Sequence, residues 1–98
     1  MSGSILAGRT TTGAGSAVPM SGAKHTFQGT VTGTGAVSAT VLVEVSNDSV
    51  SWLTMGTLTL SGTISASDGF ASDSPWGFVR ANVTAISGTG AAVTVVSN

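Results

Sequence analysis

The chain has 98 residues, of which 41% are hydrophobic and only 7% are charged, against about 25% charged residues in ordinary soluble domains. This length suits one domain and excludes two independent ones. A formal net charge of −1 argues against nucleic acid or an anionic membrane as a partner, and the lack of cysteine excludes disulfides and thiolate metal sites. We therefore expect one domain with no nucleic-acid or membrane partner and no cofactor.

Hydroxyl residues and glycine replace the missing charge. The chain contains 15 Ser, 15 Thr and 14 Gly, and 12 of its 23 Val, Ile, Leu and Phe residues are valine. Valine and threonine suit the pleated surface of a sheet, and glycine is frequent in turns. The composition predicts an all-β fold, an antiparallel β-sandwich of jelly-roll type with about six to eight short strands.

The first 23 residues differ from the rest of the chain. They are mostly small, with Pro19 near the end, and have neither the two-residue period of a strand nor the 3.6-residue period of a helix. Their composition fits either a flexible tail or an extended arm. At roughly 3.3 Å per residue, an arm could reach on the order of 75 Å, enough to lie across a neighbouring subunit. We expect an extended N-terminal arm at 1–23 and a β-sandwich domain at 24–98.

Alternation of apolar and polar residues begins after the arm. In the segment Thr26–Thr32, Phe27 and Val31 fall on one face and polar side chains on the other. The segment 37–45 alternates more strongly, with apolar residues at every odd position. Because a slip by one residue would expose the whole stripe, this pattern fixes the second strand against a core.

The second half of the chain continues the same alternation. Its predicted strands are 50–60, 64–66, 76–86 and a last one around Val93 and Val95. Turn residues separate them, at Ser46-Asn47-Asp48-Ser49, at Asp68-Gly69 and at Ser87-Gly88-Thr89-Gly90. Gly56 is expected to form a bulge or a kink where the inward face changes.

One short string occurs twice. Gly33-Thr34-Gly35 and Gly88-Thr89-Gly90 each follow one alternating segment and precede another. Glycine supplies the positive φ that a hairpin with a bulge requires. The repeat therefore predicts two equivalent hairpin turns.

The polar residues form no recognisable catalytic or metal-binding motif. No Gly-x-Ser-x-Gly motif is present, and the single histidine, His25, cannot by itself form a histidine-rich metal site. Glu44 lies on a polar strand face, while Asp48, Asp68 and Asp73 fall in predicted turns. We expect no catalytic, cofactor-binding or metal-binding residue and no enzymatic activity.

Aromatic and arm residues are the candidates for an interface. Trp76 and Phe78 share the parity of Arg80, opposite the predicted core stripe of the same strand, and aromatic residues with arginine are enriched at interfaces. The alternative is that the two rings cover the mouth of the fold or lie beneath the arm. The candidate interface residues are Ile5, Leu6, Val18, Met20, Trp76, Phe78 and Arg80.

Two strings carry a family resemblance. The string from Val43 to Trp52, VEVSNDSVSW, resembles the strand, Ser-Asn-Asp-Gly turn, tryptophan and strand of small β-sandwich proteins of tailed bacteriophages, and more distantly that of discoidin-like domains. The string from Ser72 to Val83 is similar to the aromatic-Val-Arg strand of the same families. The likeness covers roughly residues 40 to 96 and departs at Ser49, where glycine is usual.

The resemblance implies a structural protein of the virion. Such a protein would be a capsid decoration or cement protein, or a head-tail or tail accessory protein, and its partners would be other copies of itself and virion proteins such as the major capsid protein. Low charge agrees with this, because it favours association over solubility. The residues Ser2-Gly3-Ser4 stand where a secretion signal would have basic residues, so we expect synthesis in the host bacterial cytoplasm and assembly into the virion.

A carbohydrate-binding module of a phage tail or adhesion apparatus is the alternative function. Aromatic rings can stack on sugars while neighbouring polar groups bind the sugar hydroxyls. The residues of such a platform would be Trp52, Trp76 and Phe78, with Asn82, Arg80 and Asp73 as polar partners.

Overall fold

The computed structural model describes residues 3–20, 24–72 and 76–98. Over these ranges the chain is all-β, as its composition predicts, with no helix. The strands are β1 (Gly3–Arg9), β2 (Gly13–Ala14), β3 (Val18–Pro19), β4 (His25–Ser46), β5 (Leu53–Ser72), β6 (Phe78–Ser87) and β7 (Ala92–Ser97).

All seven strands belong to one antiparallel sheet with β4 at its centre. One edge of β4 pairs with β5, and the other pairs first with β7 and then with β6. β1 in turn pairs with β7, while β2 and β3 pair with β6. The strands therefore lie in four neighbouring rows: β5, then β4, then β6 with β7, then β1 to β3.

The sheet curls at the middle of β4 and β5. Thr32 pairs with Ser65 and Ala36 with Thr63, so that three residues of β4 lie opposite Ile64 alone. Ile64 has a positive φ of 70°, which is unusual for a β-branched residue and marks a sharp change of direction. The bend divides the sheet into two halves that share β4 and β5.

The two halves pack face to face at glycine residues. A Cβ atom at Gly56 would lie 2.5 Å from Phe70, and one at Gly29 would lie 2.8 Å from Leu58. In both cases the two residues belong to opposite sides of the bend. The architecture is one curled antiparallel sheet, and its division into the two separate sheets of a sandwich stays a prediction.

The alternating stripes form the core between the halves. The predicted inward residues of the segment 37–45 are all buried, and Phe27 and Val31 join them from the first half of β4. Burying one such side chain stabilises a fold by about 1.5–3 kcal/mol. The buried apolar residues are Ile5, Leu6, Phe27, Val31, Val37, Ala39, Val41, Val43, Val45, Leu58, Leu60, Val79, Ala81, Val83, Ala91, Val93 and Val95.

The two Gly-Thr-Gly strings are not hairpin turns, so that prediction was wrong. Gly33-Thr34-Gly35 is the irregular stretch inside β4, while Gly88-Thr89-Gly90 connects β6 to β7. The backbone N–H and the hydroxyl of Thr34 both donate to the carbonyl oxygen of Thr89, each at 3.1 Å. The strings therefore contact each other at the bend, where neighbouring rows of the sheet change direction together.

Asp68-Gly69 is not a turn either. It lies within β5, which continues past Ile64 to Ser72, so the short strand predicted at 64–66 is part of a longer one. The bulge predicted at Gly56 is confirmed by a register shift: Gly56 pairs with Val43, but Thr54 pairs with Glu44, which leaves Met55 as the extra residue.

The arm is an edge row of the sheet. Its described residues follow β7 and then β6 of the same chain, from Gly3 opposite Ser97 to Pro19 opposite Phe78. Ile5 and Leu6 are buried in the core. The described part of the arm thus contributes to the core of its own chain. It differs from residues 24–98 in composition, but it belongs to the same sheet.

The buried arm predicts a stability difference between two leucine substitutions. Leu6 is 8% exposed and Leu53 is 57% exposed. We expect Leu6→Ala to lower the free energy of unfolding by about 2–3 kcal/mol, because it leaves a cavity. Leu53→Ala should change it by less than about 0.5 kcal/mol. Urea denaturation measures both, and equal effects would contradict the packing of the arm.

The turn between β4 and β5 has the predicted Asn-Asp geometry. Ser46 donates its hydroxyl to the Oδ1 of Asp48 at 2.7 Å and accepts the N–H of Ser49 at 2.9 Å. The φ of Ser49 is 55°, in the left-handed region that glycine adopts at little cost. This is the position where the resembled turns carry glycine.

Ser49→Gly should therefore stabilise the chain. Left-handed backbone costs a non-glycine residue about 1–2 kcal/mol, and the extra freedom of glycine in the unfolded chain costs about 0.5–1 kcal/mol. We expect a net gain of about 0.5–1 kcal/mol in the free energy of unfolding. Ser51→Gly is the control, since Ser51 has no positive φ, and it should destabilise. A loss of stability in Ser49→Gly would contradict the turn geometry.

Candidate interaction surface

The outer edge of β5 is the longest strand edge that pairs with no other strand in the described part of the chain. β5 has 20 residues and pairs with β4 alone. At about 3.3 Å per residue its contour length is about 65 Å. A free strand edge presents unpaired N–H and C=O groups that can pair with another strand. This edge is therefore the first candidate for binding a partner.

The hydrogen bonds identify the residues that face this edge. Thr26 exchanges backbone hydrogen bonds with Asn98, at 2.8 and 3.0 Å, so the even-numbered residues in the first half of β4 point toward β7. Its odd-numbered residues point toward β5 and pair there with even-numbered residues, such as Phe27 with Phe70. Backbone direction alternates along a strand, so the odd-numbered residues of β5 after the bulge at Met55 direct their N–H and C=O groups to the free edge.

Exposed apolar side chains are concentrated along the same edge. Four large hydrophobic residues of the described ranges are exposed: Val50 at 79%, Ile64 at 62%, Leu53 at 57% and Val96 at 39%. Leu53 and Ile64 belong to β5, and Val50 lies in the turn directly before it. An exposed, long and weakly charged edge strand is the type that pairs with other chains.

The outer face beside this edge is covered by hydroxyl groups. Thr57, Thr59, Ser61 and Thr63 occupy alternate positions of β5 and are all exposed. The row continues past the bend to Ser67, whose hydroxyl bonds that of Thr30 at 2.8 Å. Such a face can approach another neutral surface without removing water from ions, which is the costly part of burying charge.

Side-chain and backbone groups of the same chain bind most of the described charged side chains. The Nε of Arg80 donates to Glu44 at 2.7 Å, and the guanidinium lies 4.3 Å from the ring centre of Trp52. The amide of Asn82 donates to the other oxygen of Glu44 at 3.4 Å. Arg9 donates to two carbonyl oxygens of its own arm, those of residues 11 and 12.

The turn carboxylate Asp48 is also engaged. Its Oδ1 accepts the N–H groups of Val50 and Ser51, each at 2.9 Å. These two hydrogen bonds, that of Ser51 first, and the hydroxyl of Ser46 lower the pKa of Asp48 from 3.8 to about 2. The charge therefore holds the turn and does not project from it.

The candidate interface residues of the sequence lie mainly against the chain's own core. Ile5 and Leu6 are buried, while Val18, Met20 and Trp76 are partly buried and pack against the core. Phe78 is half-buried beside β3, where it pairs with Pro19. The packing of Trp76 against the core favours the second of the two interpretations given for this ring, in which it covers the mouth of the fold. Arg80 is held by Glu44 and Trp52.

The polar groups of the glycan platform are engaged in the same way. Arg80 covers the Trp52 ring, and both Arg80 and Asn82 bind Glu44. Asp73 lies outside the described residues. The structure thus brings Trp52, Arg80 and Asn82 together, but around a carboxylate of the same chain.

Three residues of this surface, Asp68, Leu53 and Ile64, are not among the residues that the sequence predicts for an interface. Asp68 falls in a predicted turn, although it is the one charged residue in the strand 53–72 and has the inward parity of Leu58 and Leu60. That parity could have identified it. Nothing in the sequence signals the exposure of Ile64, which depends on the bend.

A surface depression lies where β4 begins and β5 ends. This depression has a volume of about 530 Å³ and is lined by Lys24, His25, Thr26, Ala71, Ser72 and Asn98. The described residues include no group of three or more His, Cys, Asp or Glu side chains able to hold a metal ion. They also include no helix that could cross a membrane.

Comparisons with known proteins give no relative. Neither a family model, nor a characterised protein, nor a solved structure matches the chain.

The low pKa of Asp48 predicts a pH dependence of stability. Because the folded pKa, about 2, lies below the unfolded value of 3.8, the carboxylate stabilises the fold above pH about 4. That contribution is lost as the pH falls from about 4 to about 2. Asp48→Asn keeps an oxygen acceptor but cannot titrate. We expect its urea denaturation midpoint to fall less than that of the wild type over this range, and equal falls would contradict the assignment.

Proposed function

We propose that the chain is a non-enzymatic structural protein of a phage virion, a capsid decoration or cement protein that binds copies of itself and the major capsid protein. The observation that carries the proposal is the 20-residue free edge of β5 with its exposed Leu53 and Ile64. Backbone pairing at such an edge provides affinity without a dedicated side-chain pocket. A lattice protein needs this kind of contact, because each copy meets several neighbours.

The neutral outer face supports the same function. The row of exposed hydroxyls at Thr57, Thr59, Ser61 and Thr63 can meet a second surface with little loss of ion hydration. Each contact of this type is weak. Copies attached side by side on a particle multiply weak contacts into stable binding.

The arm provides a second free edge. β1 to β3 form the outermost row on the side of the sheet opposite β5. A subunit with two free edges can bind a neighbour on each side. In the proposal the arm therefore binds a neighbour through its free backbone edge, while its apolar residues stabilise its own subunit.

The family resemblance agrees with the turn geometry. Ser49 occupies the glycine position of the resembled phage turns, and its φ of 55° is the conformation that glycine favours. The resemblance is what directs the proposal to a phage particle, while the edge and the outer face support an assembly role.

Purified particles test the proposal. Phage particles from a culture whose genome encodes the chain should contain it in a fixed ratio to the major capsid protein, measured by quantitative mass spectrometry. Particles from a deletion strain should bind the added chain saturably in a co-sedimentation assay. Absence of the chain from purified particles would contradict the proposal.

Two lysine substitutions test the role of the edge. Leu53→Lys places a charge on the β5 edge and should weaken particle binding by about tenfold or more, because the lysine must be dehydrated on contact. Val96→Lys is the matched control on the outer side of β7, where Val96 pairs with Gln28, and it should leave binding within about twofold of the wild type. Equal binding of Leu53→Lys and the wild type would exclude the β5 edge.

A further inference from the structure

The carboxylate of Asp68 binds two backbone amides at the free edge of β5. Its Oδ2 accepts the N–H of Thr59 at 3.1 Å, and its Oδ1 accepts the N–H of Gly69 at 2.9 Å. Thr59 and Gly69 are odd-numbered, so their amides belong to the row that faces away from β4. A carboxylate is a strong acceptor for N–H groups. Asp68 therefore occupies an edge amide on each side of the bend.

The curl of the sheet makes this double contact possible. β5 folds back at Ile64, which places Phe70 over Gly56 and Ala66 against Gly62. Asp68 then lies beside Thr59, although nine residues separate them along the chain. Its side chain is half-buried and starts from the inner face, where Asp68 pairs with Gly29. An inward-pointing charge on an edge strand is a known way to prevent pairing with other chains.

We infer that the β5 edge around Thr59 pairs with β5 of a second copy of this chain, and that Asp68 caps this edge in the single chain. The inference rests on the proposed assembly function and names the partner at the edge. The second copy and Asp68 compete for the same group, the N–H of Thr59. Pairing between copies therefore requires Asp68 to release that amide.

The segment 56–61 is complementary to itself. In an antiparallel pair centred on Thr59, Thr57 lies opposite Ser61 of the second copy and Thr59 lies opposite its own equivalent. Hydroxyl side chains then meet on the outer face, which is a favourable cross-strand pair. On the inner face Leu58 lies opposite Leu60 of the second copy. No charged residue occurs in the segment.

The same register joins the exposed apolar side chains. The numbers of paired residues add to 118 when the pair is centred on Thr59, and the extra residue Met55 lowers this sum to 117 beyond the bulge. Leu53 of one copy then lies beside Ile64 of the other. The two side chains are 57% and 62% exposed in the single chain. The two-fold symmetry of the pair creates this contact twice. Self-pairing thus covers the apolar residues that the fold of one chain leaves in water.

Sedimentation of cap and edge variants tests the inference. The wild type should show weak, concentration-dependent dimerisation in analytical ultracentrifugation, and Asp68→Ala should lower the dimer Kd by about tenfold or more because the competing cap is gone (about 1.4 kcal/mol). Thr59→Pro removes the edge amide without removing a bond to β4. It should abolish dimerisation both alone and combined with Asp68→Ala.

Controls separate the cap from net charge and from misfolding. Asp48→Asn removes one negative charge in the turn before β5, outside the paired segment 56–61, so its dimer Kd should equal that of the wild type. Asp68→Asn keeps a weaker acceptor in the same shape and should lie between the wild type and Asp68→Ala. Amide exchange of the dilute wild type gives a readout that needs no variant, because the N–H of Thr59 should exchange more slowly than that of the neighbouring edge residue Thr57.

Two results would overturn the inference. One is that the folded Asp68→Ala or Asp68→Asn variants dimerise no more than the wild type. The other is that the N–H of Thr59 exchanges as fast as that of Thr57. Particle binding is measured separately. Particle binding without self-pairing would refute this inference and leave the proposed function standing. Self-pairing without particle binding would refute the proposed function and leave this inference standing.

Discussion

The structure depends on the close contact between the two halves of β4 and β5. Gly29 lies against Leu58, and Gly56 lies against Phe70, at distances where a Cβ atom would require its neighbour to move. Glycine at these two positions lets the halves approach closely enough to exclude water from the valine stripes between them. The core is therefore made by bending one hairpin and covering it with β6 and β7, and every other feature follows from that bend.

A curled sheet keeps its edges free. The bend brings the halves of β5 together face to face, but it does not join the β5 edge to another strand, and the arm remains the opposite edge. The protein therefore combines a well-buried apolar core with two strand edges, β5 and the arm, that pair with no further strand among the described residues. Asp68 links these features, because the fold-back at Ile64 is what carries its carboxylate to the amide of Thr59. The position of the edge and its cap have the same origin.

Alternation in the sequence predicts the core well and the connections poorly. The inward stripe of the segment 37–45 is correct, because burial on one face fixes the register of a strand. Gly33-Thr34-Gly35 was misjudged because glycine permits a bulge inside a strand as readily as a turn between strands. Asp68-Gly69 was misjudged because a turn dipeptide carries no information on the fold-back at Ile64. The sequence predicts the apolar residues of the arm as interface residues, because no local pattern distinguishes burial in the core of the same chain from burial against a neighbouring subunit.

The distribution of charge determines what kind of recognition this surface supports. Glu44, Arg80, Asp48 and Asp68 each bind groups of their own chain, so they add little to the field felt by a partner. Long-range electrostatic steering is then weak, and the proposed association would depend on short-range pairing of backbone groups and apolar contact. Such pairing discriminates by register, since a shift of one residue exchanges the inner and outer faces. Under the proposed self-pairing, selectivity at the β5 edge would come from the order of Leu and Thr residues along the strand and from the amide that Asp68 withholds.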